Sequence, residues 1–542
     1  MIQRIFNFIR TLVSNNLTPF VIIVILGVSI KFYRLDYKIL WYDEIATVVQ
    51  VAGADNVLQL DDSKLNEIVP ISHYTGLLTH TDANYKLQEE LKAQIQNMNL
   101  NPLHYMILSF WYRMIGDNPI HYRLFSVLIF LLTIPFMFGL AKELFKSKTA
   151  GWVAISLFAV SPFIHYFAQE ARYYMLWAFL LAAIHYYLLK AVNNPALKWW
   201  AGYIVFSVLS LYTSILSGFI IFEHLLFVLF LKKESRIKFL ITISIIVLFY
   251  LPWFVYLINN RTEIFSALSW HKFEAVPVWA PVLGYVLGSV RTFSFYLNYT
   301  LFWDDVFHNI TPAMIVETGF NLIILSLIVL SVILLFKKEK RETAWFIFLI
   351  FIPGLVFFCG LDLARNAITT HWWRYYIFNT IPVLLIVSYL IFYYSKTKKL
   401  ISRGVYIGII VISFYSIFTI SKYPYWYLGG EWEKEFVDNA ELLSKAKKPL
   451  MVTDFMRLNS PWDGPMHSME VLANCSSDEI DVLRVSANRS EIDKIIPDNT
   501  YSDVFVIYAS DELLENLQKQ FGDRMKIMHG RQGPPRWRII FE

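Results

Sequence analysis

The sequence predicts a polytopic α-helical membrane protein with about eleven transmembrane helices and a small C-terminal α/β domain outside the cytoplasm. Of the 542 residues, 56% are hydrophobic and only 17% are charged, and the mean hydropathy is +0.45. Soluble domains carry about 25% charged residues. The excess apolar residues fall in runs of roughly 17–24, which is the length needed to cross a hydrocarbon core of about 30 Å.

Basic residues in the short loops orient these runs. Arg4 and Arg10 place the N-terminus in the cytoplasm, and the basic cluster at 337–341 marks a later cytoplasmic turn. The predicted spans are about 18–32, 122–140, 152–167, 173–192, two within 200–231, 239–258, one ending at 337, 344–360, 374–396 and 405–420. Long outer loops are expected at 35–100 (or to 121) and at 259–318. The apolar segment 102–115 is too short to span comfortably and is predicted as an interfacial helix.

The composition becomes polar from about residue 421. Helical patterns at 431–445 and 511–521 alternate with strand-like segments at 449–453, 504–508 and 536–541. Such alternation is typical of an α/β domain. We therefore expect a transmembrane domain, residues 1–422, and a soluble extracytoplasmic domain, residues 423–542.

Charge and cysteine content argue against a nucleic-acid-binding protein, a disulfide and a Cys/His metal site. The net charge of +5 is spread over short clusters between apolar runs, so nucleic acid is not an expected partner. Cys359 lies in an apolar run and Cys475 in the polar tail, so no disulfide between them is expected. No Cys/His spacing typical of a metal site is present.

Two acidic motifs lie at the predicted outer face of the membrane. The first contains Asp43 and Glu44 directly after the first span, and the second contains Glu170 between two spans. Acids beside a bilayer are costly unless they face water or a protein cavity. Such a pair could activate a nucleophile, orient it or bind a cation, and the alternative is that they are solvated loop residues.

Three arginines, Arg34, Arg172 and Arg374, are predicted on the same face. Because a guanidinium can bind phosphate in a bidentate manner, this group could hold a lipid phosphate. The alternative is that the three side chains extend to ordinary phospholipid headgroups.

An ordered series of short motifs resembles a known family. The series is Trp41-x-Asp43-Glu44, Asn101-Pro102-Leu103-His104-Tyr105, Tyr122-Arg123-Leu124-Phe125-Ser126, Ser161-Pro162-Phe163, Gln169-Glu170-Ala171-Arg172-Tyr173-Tyr174, Leu211-Tyr212-Thr213, Leu251-Pro252-Trp253 and Arg374-Tyr375. It resembles the GT-C membrane glycosyltransferases of the protein O-mannosyltransferase and aminoarabinose transferase group (glycosyltransferase family 39-like). The resemblance covers roughly the first 260 residues well and the rest loosely.

This resemblance implies a GT-C fold and an inverting transfer of sugar from a polyprenyl-phosphate donor to an acceptor hydroxyl at the extracytoplasmic face. Asp43 would be the general base, Glu44 would support it, and Glu170 would orient the acceptor or a cation. The donor phosphate would be bound by a basic and aromatic set: Arg34, Arg172, Arg374 and Tyr375. Candidates for contact with donor or acceptor are Asn101, His104 and Tyr173.

The chain departs from the family pattern where a metal ligand would be expected. Many relatives carry His-Pro-Pro where this chain has Asn101-Pro102-Leu103. The aminoarabinose branch carries Glu-Lys-Pro there and uses that Glu as a metal ligand, and in this chain Leu100 and Asn101 occupy those places. Relatives with Tyr-Thr-His differ from Tyr212-Thr213-Ser214 in this chain. No cofactor is assigned, and a requirement for a divalent cation stays open.

A secondary transporter and a lipid-carrier-binding protein are the alternatives. Transporters keep coupling sites near the midplane of the membrane, and Glu223 is the one acid predicted inside a span. The expected partners are a polyprenyl-phosphate sugar, an acceptor glycan, lipid or protein, and membrane lipids. The expected location is the plasma (inner) membrane, with a cytoplasmic N-terminus and the C-terminal domain outside, where that domain would help to select the acceptor.

Overall fold

The computed structural model describes residues 17–52, 64–78, 102–116, 118–261, 276–295, 312–426, 431–454, 463–486, 488–496, 500–528 and 536–539. The chain divides into two compact units. The first, called the membrane unit, contains Met1–Leu35, Met98–His104 and Arg123–Lys422. The second, called the sheet unit, contains Asp36–Asn97, Tyr105–Tyr122 and Tyr423–Glu542. The sheet unit thus combines the C-terminal segment with parts of the first predicted outer loop.

The helices of the described residues follow in chain order. They are α1 (Thr18–Ser29), α2 (Tyr42–Val51), α3 (Ser72–Thr75), α4 (Pro102–Ile115), α5 (Pro119–Phe145), α6 (Lys148–Val160), α7 (Pro162–Gln169), α8 (Tyr174–Asn193), α9 (Leu197–Thr213), α10 (Ser217–Leu231), α11 (Arg236–Asn259), α12 (Trp279–Val290), α13 (Pro312–Lys338), α14 (Arg341–Leu349), α15 (Ile352–Arg365), α16 (Ile377–Thr397), α17 (Lys399–Ser421), α18 (Glu431–Lys445), α19 (Asp463–Leu472), α20 (Ile492–Ile495) and α21 (Asp511–Phe521).

The described residues contain seven helices long and apolar enough to cross a membrane, or eight if the bent pair α6–α7 is one span. The seven are Pro119–Phe145, Tyr174–Asn193, Lys233–Asn259, Ile315–Lys338, Arg341–Arg365, Trp373–Thr397 and Lys399–Ser421. Shorter apolar helices are Thr18–Phe32, Ser217–Leu231 and Trp279–Val290. The chain is therefore a multi-span membrane protein, as predicted. The count of eleven and the orientation stay predictions, and α4 forms where an interfacial helix is expected.

The bend between α6 and α7 has a local cause. The two helices meet at 58°, with Ser161 between them and Pro162 as the first residue of α7. Proline lacks an N–H and is favoured at the first turn of a helix, so it begins α7 while interrupting α6. Ser161 caps α7 by accepting a hydrogen bond from the Ile164 N–H at 3.3 Å and donates its own hydroxyl to the Thr292 carbonyl at 2.6 Å. The bend sets the direction in which α7 delivers Gln169 and Glu170.

The core of the membrane unit lies around α16. Its side chains are buried along nearly its whole length, and it packs against α6, α8, α13 and α17. Helix α1 lies against α6 at Gly27, where a Cβ atom would come within 2.7–2.8 Å of Ala159. Small residues of this kind allow close helix packing in membranes.

The sheet unit contains six strands: β1 (Ile68–Pro70), β2 (Pro449–Thr453), β3 (Asp481–Arg484), β4 (Asp503–Val506), β5 (Met525–Met528) and β6 (Arg536–Ile539). Their order across the sheet is β1-β3-β2-β4-β6-β5. β3, β2 and β4 are parallel, whereas β1 and the pair β6–β5 are antiparallel to their neighbours. All five residues of β2 are buried, as expected for a central strand covered on both faces.

The core of this unit lies between the sheet and helices α20 and α21. It includes Leu450 of β2, Val504 of β4, and Leu513 and Leu517 of α21. The predicted helices at 431–445 and 511–521 coincide with α18 and α21, and the predicted strand at 449–453 coincides with β2. The first outer loop adds β1, which pairs Ile68 with Leu483 of β3.

Candidate functional site

Glu170 directly follows α7 and is only 1% exposed. Its backbone carbonyl accepts hydrogen bonds from the Ser126 hydroxyl at 2.6 Å and from the Arg172 N–H at 2.9 Å. Ser126 belongs to another motif of the series, so the structure joins two motifs here. The interpretation of Glu170 as a solvated loop residue is therefore wrong.

Arg34 lies beside α7 because three chain segments are tied together there. Gln169 donates from Nε2 to the carbonyls of Lys31 at 3.2 Å and Tyr33 at 2.8 Å. Arg34 Nη1 donates to the carbonyl of Ser421 at 3.3 Å, and the hydroxyl of Ser421 lies 3.4 Å from His165 Nε2 of α7. The exit of α1, the end of α7 and the end of α17 thus meet in the membrane unit.

Arg172, Tyr173 and His104 form one group. The guanidinium carbon of Arg172 lies 5.8 Å from the ring centroid of Tyr173, and the ring of His104 lies 6.4 Å from the same centroid. Burial, with a smaller contribution from the charge of Arg172, lowers the pKa of His104 to about 3. His104 is therefore neutral at physiological pH. Asn101 lies outside the described residues.

Arg374 and Arg291 form a second basic group. The guanidinium carbon of Arg374 lies 5.4 Å from the Trp372 ring centroid and 5.7 Å from that of Tyr375. Arg291 lies 5.4 Å from the Trp373 centroid, and its Nη1 is 3.5 Å from the His371 carbonyl. Sequence reasoning missed Arg291, although it follows an apolar helix just as Arg34 does. The backbone around these residues is held by Asp362, whose carboxylate accepts hydrogen bonds from the N–H groups of residues 369 and 370.

An aromatic row along α7 connects the two basic groups. The Tyr166 ring lies 5.9 Å from Trp373, the Phe167 ring 4.8 Å from Tyr174, and the Tyr174 ring 4.4 Å from Tyr173. Because the rings of Tyr166 and Phe167 on α7 lie 5.1 Å apart, the row runs from the ring beside Arg172 to Trp373, the ring beside Arg291. Guanidinium groups over aromatic rings stay ordered and keep donors available for an anion.

Asp43 and Glu44 belong to the sheet unit, in the first turn of α2. Carboxylates are favourable there because the helix N-terminus carries partial positive charge. Glu44 is fully buried, whereas Asp43 is partly exposed. Asp43 is therefore the member of the pair that solvent or a substrate can reach.

No group of three or more His, Cys, Asp or Glu side chains able to hold a metal ion occurs in the described part of the chain. His224 is held by other side chains, since its Nδ1 lies 2.9 Å from the Tyr203 hydroxyl and its Nε2 lies 2.8 Å from His185 Nδ1. Both ring nitrogens of His224 therefore have side-chain partners, as in a structural histidine. The requirement for a divalent cation stays open.

The lowered pKa of His104 predicts a pH dependence of stability. The unfolded chain binds a proton on this imidazole near its ordinary pKa of 6.5, whereas the folded chain binds it only near about 3. The contribution of neutral His104 to the free energy of unfolding is therefore fully present above about pH 6.5, and it is lost as the pH is lowered toward 3. We expect His104→Gln to make the melting temperature, measured in detergent between pH 6.5 and 4, less dependent on pH. The exposed His73→Gln is the control, and equal slopes for His104→Gln and wild type would contradict the prediction.

Residues 100–256 match the model of the dolichyl-phosphate-mannose-protein mannosyltransferase family. The matched segment is less than a third of the chain and contains His104, Glu170, Arg172 and Tyr173. This match confirms the predicted resemblance, and the enzyme class that it indicates is a glycosyltransferase. No curated protein matches the chain.

Solved structures of similar proteins include ArnT from Cupriavidus metallidurans in the apo state, with 13% identity, a TM-score of 0.48 and coverage of 92% of this chain and 96% of ArnT. The structure of the same protein bound to undecaprenyl phosphate has 12% identity and a TM-score of 0.48, and the match covers 91% of this chain and 96% of ArnT. An oligosaccharyltransferase from Archaeoglobus fulgidus, tethered to an acceptor peptide, has 10% identity and a TM-score of 0.45. This match covers 86% of the present chain and 64% of the oligosaccharyltransferase chain.

Proposed function

We propose that this protein transfers a sugar from a polyprenyl-phosphate donor to an acceptor hydroxyl at the extracytoplasmic face of the plasma membrane, with inversion at the anomeric carbon. One observation carries the proposal. The segment that matches the mannosyltransferase family contains the buried Glu170 with Arg172, His104 and Tyr173, and the rings along α7 connect this group to Trp373, which lies beside Arg291 and precedes Arg374 in the chain. Two fixed basic groups along one helix suit a phosphate attached to a lipid.

The chemistry requires one proton acceptor and a stabilised leaving group. Asp43 takes the proton of the acceptor hydroxyl as the new bond to the anomeric carbon forms, and the bond from that carbon to the phosphate oxygen breaks on the opposite side. Glu44 supports Asp43, and Glu170 orients the acceptor or a cation. Arg172, Arg374 and Tyr375, with Arg34, stabilise the negative charge that develops on the departing phosphate.

We also propose the membrane topology and the acceptor classes that the charged loops and the family resemblance predict. The N-terminus lies in the cytoplasm and the C-terminal segment outside. The acceptor is a glycan, a lipid or a protein. The description of the matched family, which names a dolichyl-phosphate sugar, supports a lipid-linked donor.

A secondary transporter or a lipid-carrier-binding protein is the second candidate. Glu223 is fully buried in α10, and neither of its carboxylate oxygens has a hydrogen-bond partner in the described structure. A buried acid at membrane depth is a functional candidate by default. A single acid provides no pathway, however, and the family match favours transfer.

The test is release of free polyprenyl phosphate by the purified full-length protein. The protein is incubated with a panel of lipid-linked sugars and an envelope extract that supplies acceptors. We expect release with one donor class and incorporation of the same sugar into the extract. Tight binding of donor without release would favour the carrier-binding alternative, and movement of donor across vesicles without release would favour transport.

A further inference from the structure

The chain segment that carries Asp43 is attached to the C-terminal part of the sheet unit at several points. Ile39 and Leu40 each make two hydrogen bonds to residues more than 380 positions later in the chain. The Ile39 N–H donates to the Pro424 carbonyl at 2.7 Å, and its carbonyl accepts from the Trp426 indole at 2.8 Å. Lys38 donates to the Tyr425 carbonyl at 2.8 Å. The residues before α2 therefore have a fixed path.

Asn474, which follows α19, binds the backbone of Leu40 through both the oxygen and the nitrogen of its side-chain amide. Its Oδ1 accepts from the Leu40 N–H, and its Nδ2 donates to the Leu40 carbonyl, each at 2.8 Å. Nδ2 also donates to the Glu470 carbonyl at 2.6 Å, which ties the amide to its own helix. The two hydrogen bonds resemble the pair that opposite residues of two antiparallel strands exchange. They restrict the backbone conformation at Leu40.

Glu470 of α19 completes the N-terminus of α2. Trp41, the residue that precedes the helix, provides no side-chain cap, and the first N–H groups of a helix have no partner within it. The carboxyl group of Glu470 accepts a hydrogen bond from the Tyr42 N–H, the first of these groups. Glu470 is 1% exposed, and its carboxyl group interacts electrostatically with those of Asp43 and Glu44.

Burial, assisted by the charges of Asp43 and Glu44 and opposed by the Tyr42 N–H, raises the pKa of Glu470 well above its ordinary value. This shift favours the protonated form of the carboxyl group. A neutral carboxyl group still accepts from the Tyr42 N–H through its carbonyl oxygen.

We propose that Glu470 and Asn474 are positioning residues for Asp43: by fixing the first turn of α2 they hold the Asp43 carboxylate in the orientation that receives the proton of the acceptor. This inference rests on the proposed function. It assigns to the C-terminal segment a part in the reaction itself, beyond selection of an acceptor.

The test compares full-length variants in the transfer reaction and in hydrogen exchange. Glu470→Ala removes the cap, Glu470→Gln retains an oxygen acceptor in a neutral group, and Asn474→Ala removes the clamp at a position that is only half-buried. The control is Leu517→Ala, which loosens the core on the α21 side of the sheet. We expect Glu470→Ala and Asn474→Ala to lower kcat by up to about 100-fold with little change in the KM for donor, since misplacement of a reacting group by about 1 Å can cost this much.

Glu470→Gln is expected to retain most of the turnover. Leu517→Ala should lower the melting temperature at least as much as Glu470→Ala and retain kcat below that temperature. Wild-type kcat in both Glu470→Ala and Asn474→Ala, or a loss in Leu517→Ala that follows the loss of stability, would overturn the inference.

Hydrogen exchange separates this inference from the proposed function. Amides at the start of α2 should exchange faster in Glu470→Ala and Asn474→Ala than in Leu517→Ala and wild type. If the wild-type protein transfers no sugar, the proposed function fails while the exchange result still decides whether these residues fix α2. Unchanged exchange in both variants would overturn the positioning role whatever the activity.

Discussion

Replacing Asp43 by Asn is expected to lower kcat for sugar transfer by about 10²–10⁴-fold, because this is the usual contribution of a general base. Asn has nearly the same shape and cannot take up the proton of the acceptor hydroxyl. Binding of the donor should change little, since Asp43 is proposed to act on the acceptor. The measurement is the steady-state release of polyprenyl phosphate, with kcat and the KM for donor determined separately.

The matched control for Asp43→Asn is Asp36→Asn, which makes the same change at an exposed acid of the sheet unit. It is expected to transfer sugar at the wild-type rate. Glu44→Gln should have a smaller effect than Asp43→Asn, because the buried Glu44 is proposed only to support its neighbour. An Asp43→Asn variant with wild-type turnover would remove Asp43 from the role of base.

Replacing Arg374 by Ala is expected to lower kcat by about 10²–10³-fold, the usual cost of removing one donor that stabilises charge in a transition state. The guanidinium carbon lies 5.4 Å from the ring centroid of Trp372 and 5.7 Å from that of Tyr375, and these contacts favour an ordered guanidinium before the donor binds. Arg374→Lys should have intermediate activity, because lysine retains the charge and loses the planar pair of donors. Inhibition by free polyprenyl phosphate should weaken in the same order.

Arg113→Ala is the control for Arg374→Ala, since Arg113 is exposed on α4. If Arg374 only extends to ordinary phospholipid headgroups, the two alanine variants should transfer sugar equally well. A loss confined to Arg374→Ala, together with weaker inhibition by polyprenyl phosphate, would support binding of the donor phosphate.

The sequence predicts best those elements that depend on nearby residues. Long apolar runs predict the long helices of the membrane unit, because a run of about 20 apolar residues suffices for a span whatever surrounds it. The period of apolar residues in α18 and α21 sets both ends of each helix as predicted. The pair Glu170 and Arg172 was also accessible to sequence reasoning, since both lie in one short motif.

Elements that depend on distant partners were not predicted. Strand β1 is only three residues long and exists through its pairing with β3, more than 400 residues later. The burial of Glu170 depends on its packing with helices from other parts of the chain, and the sequence alone left it as a candidate for solvent exposure. Arg291 lies in a predicted loop that a short helix partly fills, so its contact with Trp373 could not be anticipated.

The sequence by itself determined that the chain is a multi-span membrane protein, which segments form its long apolar helices, and which acidic and basic motifs are candidates for chemistry. The tertiary structure alone decided that α7 joins two basic groups and that Glu470 and Asn474 hold the start of α2. The physical reason is that hydropathy and helical period are properties of neighbouring residues. A cap or clamp supplied from more than 400 residues away depends on how the folded chain brings its segments together.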